Sequence, residues 1–178
     1  MPQSASQNVD PSEYLGEGLQ SAISDIKQLS ADDQLALLYY VYEKMGDSIT
    51  PAAPQAAEPE LAPILLGDFY NLSHQDQLQV MRDIVNRTDT EYSRAYGALK
   101  ENNQLLVWYA WAVAMGESVV GMPAEYEASE GISNLLKRIE AFEFEQQMSM
   151  FRELASEMGY TEVEAVPSQA QTGKTASL

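Results

Sequence analysis

The chain contains no cysteine and only one histidine, His74. The first absence removes disulfides, thiolate metal sites and thiol nucleophiles. The second leaves His74 as the sole imidazole for any Ser-His-Asp arrangement. It lies in Ser73-His74-Gln75-Asp76, a polar segment that reads as a solvated helix start. Walker, Gly-x-Gly-x-x-Gly and His-Glu-x-x-His motifs are missing, so no enzymatic function is expected. Bases are scarce, ten against 27 acids, for a net charge of −17 over 178 residues. Such a surface is repelled by phosphate backbones and anionic bilayers, which excludes nucleic acid and membranes as expected partners. No apolar run approaches the ~18 uncharged residues of a membrane span. The first residues, MPQSASQNVDPSE, carry neither a basic nor an apolar signal region. A cytoplasmic protein is expected.

Alternating apolar and polar residues are also lacking, so no β-sheet is expected. Helix punctuation, by contrast, is plentiful. Asp10-Pro11-Ser12-Glu13 offers an N-cap acid, a first-turn proline and an acid behind it. Ser30-Ala31-Asp32-Asp33 and Ser73-His74-Gln75-Asp76 each place an acid three residues after a hydroxyl. Asp89 or Thr90 caps a helix expected to reach about Leu99. Asn102 or Asn103 is expected to open the next, which stops at Gly116. A last long helix is predicted from near Ser129 to near Gly159, with a break around Phe142. The proline-rich stretch Pro51 to Pro63 reads as a connector, with a helix starting within it or just after. Residues 1–160 are expected to form one helical domain. Residues 161–178, beginning TEVEAVPSQAQ, are expected to form a disordered tail.

Aromatic residues concentrate in two segments, LALLYYVYEKMG and QLLVWYAWAVAMG. In the first, Leu35, Leu38, Tyr39 and Tyr42 fall at i, i+3, i+4, i+7, one face of a helix. Tyr40 and Val41 lie off that face. In the second, Leu105, Trp108, Tyr109, Ala112 and Met115 make one stripe, and Leu106, Val107, Ala110 and Trp111 another. A helix that is apolar all round must be buried all round. Both segments therefore belong between two packed layers. Rings at this density suit an apolar slot for a long, flat ligand, with Met45, Met81, Met115, Met122, Met148 and Met158 as polarisable lining.

The ordered set DDQLALLYYVYEKMG, TPAAP, MRDIVNRTDT, NNQLLVWYAWAVAMG and Met122-Pro123-Ala124-Glu125-Tyr126 resembles the N-terminal, carotenoid-binding domain of the cyanobacterial orange carotenoid protein family. The similarity runs from about Asp10 to Tyr160, apart from a short length change near Gly116 to Gly121. It implies an all-α fold of two interleaved four-helix bundles with a ligand tunnel between them. It also implies a keto-carotenoid (canthaxanthin, echinenone or 3'-hydroxyechinenone) as cofactor. The positions it implies for carotenoid binding are Leu35, Leu38, Tyr39, Tyr42, Gln55, Met81, Leu105, Trp108, Tyr109, Ala112, Met122, Tyr126 and Met148. Tyr42 and Trp108 match the aromatics that stack about a terminal ring.

The chain departs from the family at Tyr39, where Trp is usual, and at Gln55, where Gly is usual. Asn102 and Arg152 match partner-contact positions that face a regulatory domain in two-domain relatives. The resemblance thus implies a separate C-terminal-domain-like carotenoid carrier as a partner. It implies photoprotection by quenching singlet oxygen or excited states, or pigment carriage, in cyanobacteria near the thylakoid. Phycobilisome quenching is a rival role, disfavoured by the −17 charge because antenna surfaces are themselves acidic. A reading of another class is a pigment-free helical adaptor, with Gln55 filling the pocket.

Overall fold

A computed structural model describes the backbone of residues 11–49 and 62–162, and side chains within 16–45 and 62–162. Gln55, most of the Pro51 to Pro63 connector and residues 163–178 of the expected tail lie outside the described residues. The described chain is all-α: α1 (Pro11–Lys27), α2 (Ala31–Ile49), α3 (His74–Val85), α4 (Glu91–Gly97), α5 (Glu101–Val113), α6 (Glu130–Glu140) and α7 (Phe144–Ser156). Among the described residues the sole β feature is an isolated bridge between Met115 and Val119.

Local chemistry explains most boundaries. The Oγ of Ser30 accepts from the Asp33 amide at 3.2 Å, and that of Ser73 from Asp76 at 3.1 Å. Thr90 caps α4 and Ser129 caps α6 in the same way. Each satisfies a helix-start donor that otherwise lacks a partner. The break between α6 and α7 falls at 141–143, where Glu143 and Gln146 form a reciprocal capping box that starts the helix again.

One expectation is corrected. The aromatic helix starts at Glu101 rather than Asn102 or Asn103, with Lys100 at the N-cap and no side-chain cap bond. Asn102 does not serve as the cap, because its side-chain oxygen accepts from Arg152 Nε at 2.9 Å. The helix ends at Val113, and Gly116 follows in a turn at φ +83°. Just after the connector, Ala62 leads into a turn and a short 3-10 helix, Asp68–Asn71, while a helix start within 51–61 lies outside the described residues. There the Asp68 amide donates to the Pro63 carbonyl at 3.2 Å, and a Cβ on Gly67 would meet that oxygen at 2.5 Å. Bonds spanning five residues, Asp68 to Pro63 and Phe69 to Ile64, close the turn there in place of an α-helical ladder.

Packing yields two apolar cores. One gathers Ile23 and Ile26 of α1, Ala36, Leu37 and Val41 of α2, the α6 stripe from Ile132 to Ile139, and Met150, Phe151 and Leu154 of α7. The other gathers Leu65, Leu66 and Phe69 with Met81 and Ile84 of α3, Tyr96 of α4, and Val107, Trp108 and Trp111 of α5. Leu35, Leu38 and Tyr42, on the opposite side of α2 from Leu37 and Val41, pack against this second core. Likewise Leu105 of α5 belongs to the first core while Trp108 belongs to the second. Helices α2 and α5 are thus shared walls, which accounts for their all-round apolarity. Burial of α5 is not complete, however: Val113 at its end is 66% exposed.

Candidate functional site

Between the shared helices and α3 lies a cavity of about 230 Å³. Leu35, Leu38, Tyr39 and Tyr42 line it from α2, Met81 from α3, and Trp108 and Ala112 from α5. The loop after α5 closes the wall with Met115, Val120, Gly121 and Met122, continuing to Tyr126. A second hollow of about 450 Å³ adjoins it, sharing Tyr39, Tyr42, Ala112, Met115, Gly121 and Met122 as a common wall. Tyr109 lines only this second space, beside the exposed Val113. The two run together along the apolar sides of α2 and α5.

The structure therefore brings Leu35, Leu38, Tyr39, Tyr42, Met81, Trp108, Ala112, Met122 and Tyr126 around one cavity, with Tyr109 next door. Two other sequence-predicted positions lie elsewhere. Leu105 and Met148 are buried in the first core and line neither hollow. Both are positions the resemblance implies, and the stripe that carries Leu105 does not say which neighbour it meets. Leu105 still touches the site indirectly, since the Tyr42 hydroxyl donates to its carbonyl at 3.1 Å. Asn102 and Arg152, bonded to each other, lie on a different face.

The rings of the wall are fixed from behind. Trp111 stacks on Phe69 with centroids 4.1 Å apart, and Trp108 meets Trp111 edge-on at 5.3 Å. Trp111 Nε1 donates to the Leu65 carbonyl at 3.0 Å, and Trp108 Nε1 to the Tyr96 hydroxyl at 2.9 Å. Tyr96, fully buried, donates its own hydroxyl hydrogen bond to the Ala155 carbonyl of α7 at 2.9 Å. Burial pushes the phenols of Tyr96 and Tyr42 far up, with the Tyr109 ring adding to the shift at Tyr42. Both stay neutral, as an apolar wall requires. Tyr126 donates to Asp33 Oδ1 at 3.1 Å, and desolvation followed by that carboxylate pushes its phenol up to about 12.

Sequence reasoning missed Gln77. It is fully buried, donates to the carbonyls of Phe69 (3.2 Å) and Ser118 (2.8 Å), and accepts from the Val120 amide at 2.8 Å. One amide group thereby ties α3 to the 3-10 helix and to the loop that carries the cavity wall. A signal was available, because Gln77 heads the α3 stripe completed by Val80, Met81 and Ile84. A polar residue at the head of an apolar stripe calls for buried partners. Arg82 was also missed; it lines the cavity and grips Asp32 through two bonds of 2.6 and 3.1 Å.

A larger hollow of about 960 Å³ is an open groove between the ends of α4, α5 and α7. It holds Lys27, Arg87, Lys100 and Arg152, from only ten bases in the chain, together with Glu101 and Glu157. Its mixed polar lining suits a protein surface better than a greasy ligand. Among the described residues no group of three or more His, Asp or Glu is placed to hold a metal ion, and no helix is long and apolar enough to cross a membrane.

Comparison with known proteins places this architecture. The family model described as "Orange carotenoid protein, N-terminal" matches residues 12–161. An orange carotenoid-binding domain-containing protein of Nostoc sp. is 41% identical over 81% of this chain and 85% of its own length. The orange carotenoid-binding protein of Synechocystis sp. is 32% identical over 88% of this chain, which spans only 50% of that relative. Among solved structures, the Red Carotenoid Protein of Anabaena (Nostoc) sp. binding canthaxanthin superposes with a TM-score of 0.71 at 34% identity, over 80% of this chain and 99% of that one. The Orange Carotenoid Protein of the same organism binding canthaxanthin gives 0.74 at 30% identity, over 83% of this chain and 48% of that one. The chain belongs to the orange carotenoid protein N-terminal domain family.

Proposed function

We propose that this protein binds a keto-carotenoid without a covalent bond and uses it for photoprotection. The observation that carries the reading is the aromatic-lined slot along α2 and α5, in a chain similar to solved carotenoid proteins that bind canthaxanthin. The slot fits the ligand's chemistry: its lining is apolar or aromatic apart from Asp32 and Arg82, and it opens at Tyr42 into the adjoining hollow. The two cores, sharing α2 and α5, are read as two interleaved four-helix bundles with the pigment in the tunnel between them.

Leu35, Leu38, Tyr39, Tyr42, Met81, Trp108, Ala112, Met122 and Tyr126 wall the pigment. Tyr109 lines the continuation of the slot, Gln55 belongs to the same binding set, and Leu105 and Met148 support it from the first core. Burying several hundred Å² at ~25 cal/mol per Å² keeps an insoluble polyene in water. Dispersion against Trp and Tyr faces fixes ring torsion, and with it the length of conjugation. The pigment accepts energy from singlet oxygen or another chromophore and releases it as heat, with no bond made or broken. Canthaxanthin leads the candidates, with echinenone and 3'-hydroxyechinenone as alternatives.

The partner face is the cationic groove around Asn102 and Arg152. Four bases clustered on a chain of −17 favour an acidic protein surface there, which suits a separate C-terminal-domain-like carrier. Antenna quenching is the lesser role, because the acidic remainder of the surface opposes approach to an acidic phycobilisome.

Producing the chain in a host that accumulates keto-carotenoids tests the reading. A visible band that co-elutes with the protein and is red-shifted from free pigment is expected, along with faster removal of singlet oxygen than by the apoprotein. A colourless product with normal helical content would overturn it.

A further inference from the structure

The slot's lining contains side-chain donors, yet nearly all are spent elsewhere. Trp108 Nε1 goes to Tyr96, Trp111 Nε1 to the Leu65 carbonyl and the Tyr42 hydroxyl to the Leu105 carbonyl. Tyr126 bonds Asp33, and Tyr39 is drawn to Glu43. Arg82 is the exception. Its fork offers five N–H donors, and Asp32 engages Nε at 2.6 Å and Nη2 at 3.1 Å. Among the described residues no acceptor other than Asp32 bonds the half-exposed Arg82 side chain, so Nη1 keeps both its donors without a protein acceptor, on a residue that lines the cavity. Asp32 and Arg82 are the only charged residues of the lining, and their pairing leaves the slot without net charge.

Position completes the argument. Along α2 the lining runs from Asp32 to Tyr42, ten residues or about 15 Å. A pigment of roughly 30 Å, the length of a 20-residue helix, spans that distance and continues past Tyr42 into the adjoining hollow. One terminal ring then lies at the Asp32 end, beside Arg82. Resting on the carotenoid reading above, we propose that Arg82 selects pigments with a carbonyl on the terminal ring, by donating a hydrogen bond to that oxygen. Among the other side chains of the lining no donor is left to distinguish a keto ring from a plain hydrocarbon ring. A charged donor facing a conjugated carbonyl also pulls electron density toward the ring, which lowers the excitation energy.

The test loads wild type, Arg82→Met and Arg82→Lys from an equimolar mixture of canthaxanthin and β-carotene, which share a carbon skeleton. Bound pigments are then extracted and their ratio measured. Wild type is expected to favour canthaxanthin about tenfold, the discrimination typical of one charged hydrogen bond. Arg82→Met loses that preference while still taking up β-carotene, and its canthaxanthin band moves to the blue. Arg82→Lys restores most of the preference, since it keeps a cationic donor. Resonance Raman spectra of wild-type holoprotein need no variant, and a carbonyl stretch below its value in apolar solvent is expected. A keto preference unchanged in Arg82→Met, or a carbonyl stretch unshifted in wild type, overturns the role of Arg82 alone. A wild type that stays colourless with both pigments overturns this inference together with the function it rests on.

Discussion

Replacing Gln77 by leucine strips three segments of their common anchor. The Phe69 carbonyl keeps a second donor, the Leu72 amide at 3.1 Å, so its loss is small. Ser118 is exposed, and its carbonyl regains water. The Val120 amide is the group left behind, without its 2.8 Å acceptor and only partly exposed. An unsatisfied amide of this kind costs about 1–3 kcal/mol, and the lost Ser118 bond adds about 1 kcal/mol. Leucine recovers about 1 kcal/mol by burying apolar surface. The expected net loss is about 2 kcal/mol, read as a lower urea midpoint at unchanged slope. Faster hydrogen exchange should be confined to Val120 and its neighbours in the loop. Glutamate at 77 supplies a sign test, since it keeps the acceptor for Val120 but must donate to Ser118 as a neutral acid. Burial beside carbonyls raises its folded pKa above the unfolded value, so the extra proton is held by the folded state. The stability of Gln77→Glu relative to Gln77→Leu should therefore be greatest below about pH 4 and decline as pH rises through the raised pKa. A loss under ~0.5 kcal/mol in Gln77→Leu, with Val120 exchange unchanged, would refute the anchoring role.

Other substitutions probe the remaining parts of the wall. Trp108→Phe keeps a ring but removes the bond to Tyr96, so a loss of about 1 kcal/mol is expected, with a shifted pigment band in the holoprotein. An unchanged band would place Trp108 away from the chromophore. Gly159 has φ +81°, and a Cβ there would meet Tyr96 Cδ1 at 2.5 Å. Gly159→Ala should therefore cost at least ~1 kcal/mol in chemical unfolding, and a neutral result would show that Tyr96 yields freely. Tyr126, pushed up to about 12, holds its proton more tightly when folded. It stabilises fully below pH ~10 and the benefit fades as pH rises through about 12. Tyr126→Phe should flatten that part of an alkaline unfolding profile, and superimposable profiles would count against the Asp33 bond.

Helix starts were legible wherever a hydroxyl does the capping. Ser30, Ser73, Thr90 and Ser129 all bond the amide three residues on. The start of α5 was not legible, because Lys100 contributes no cap bond and Asn102, the better candidate by type, is bonded to Arg152. The form of the turn after Ala62 carried no signal for a related reason: it depends on a close approach between Gly67 and the Pro63 carbonyl, which no periodicity reports. Within the site, the α2 residues were found because a stripe with rings at i+4 and i+7 is unusual for a core. Leu105 and Met148 show the limit of that signal. Leu105 fits the apolar stripe and Met148 is implied by the resemblance alone, and neither signal names the neighbour across the face. Tyr96 carries no signal on its short helix, although it holds Trp108 and α7 together.

The chemistry of the slot follows from where its polar atoms go. An aromatic wall made with Trp and Tyr rather than Phe brings N–H and O–H groups that would ordinarily hydrate a cavity. Here the protein's own framework absorbs them: carbonyls of α5, α7 and the segment before the 3-10 helix accept from Tyr42, Tyr96 and Trp111. Each such bond also pins the ring that donates it. Greasiness and rigidity therefore come from the same contacts, and a long polyene needs both, one for solubility and one for a fixed conjugation length. The same economy leaves the aromatic side chains of the wall without a donor for any oxygen on the ligand. That task falls to a residue whose donors outnumber its local acceptors, and in this lining only the Arg82 fork meets the condition.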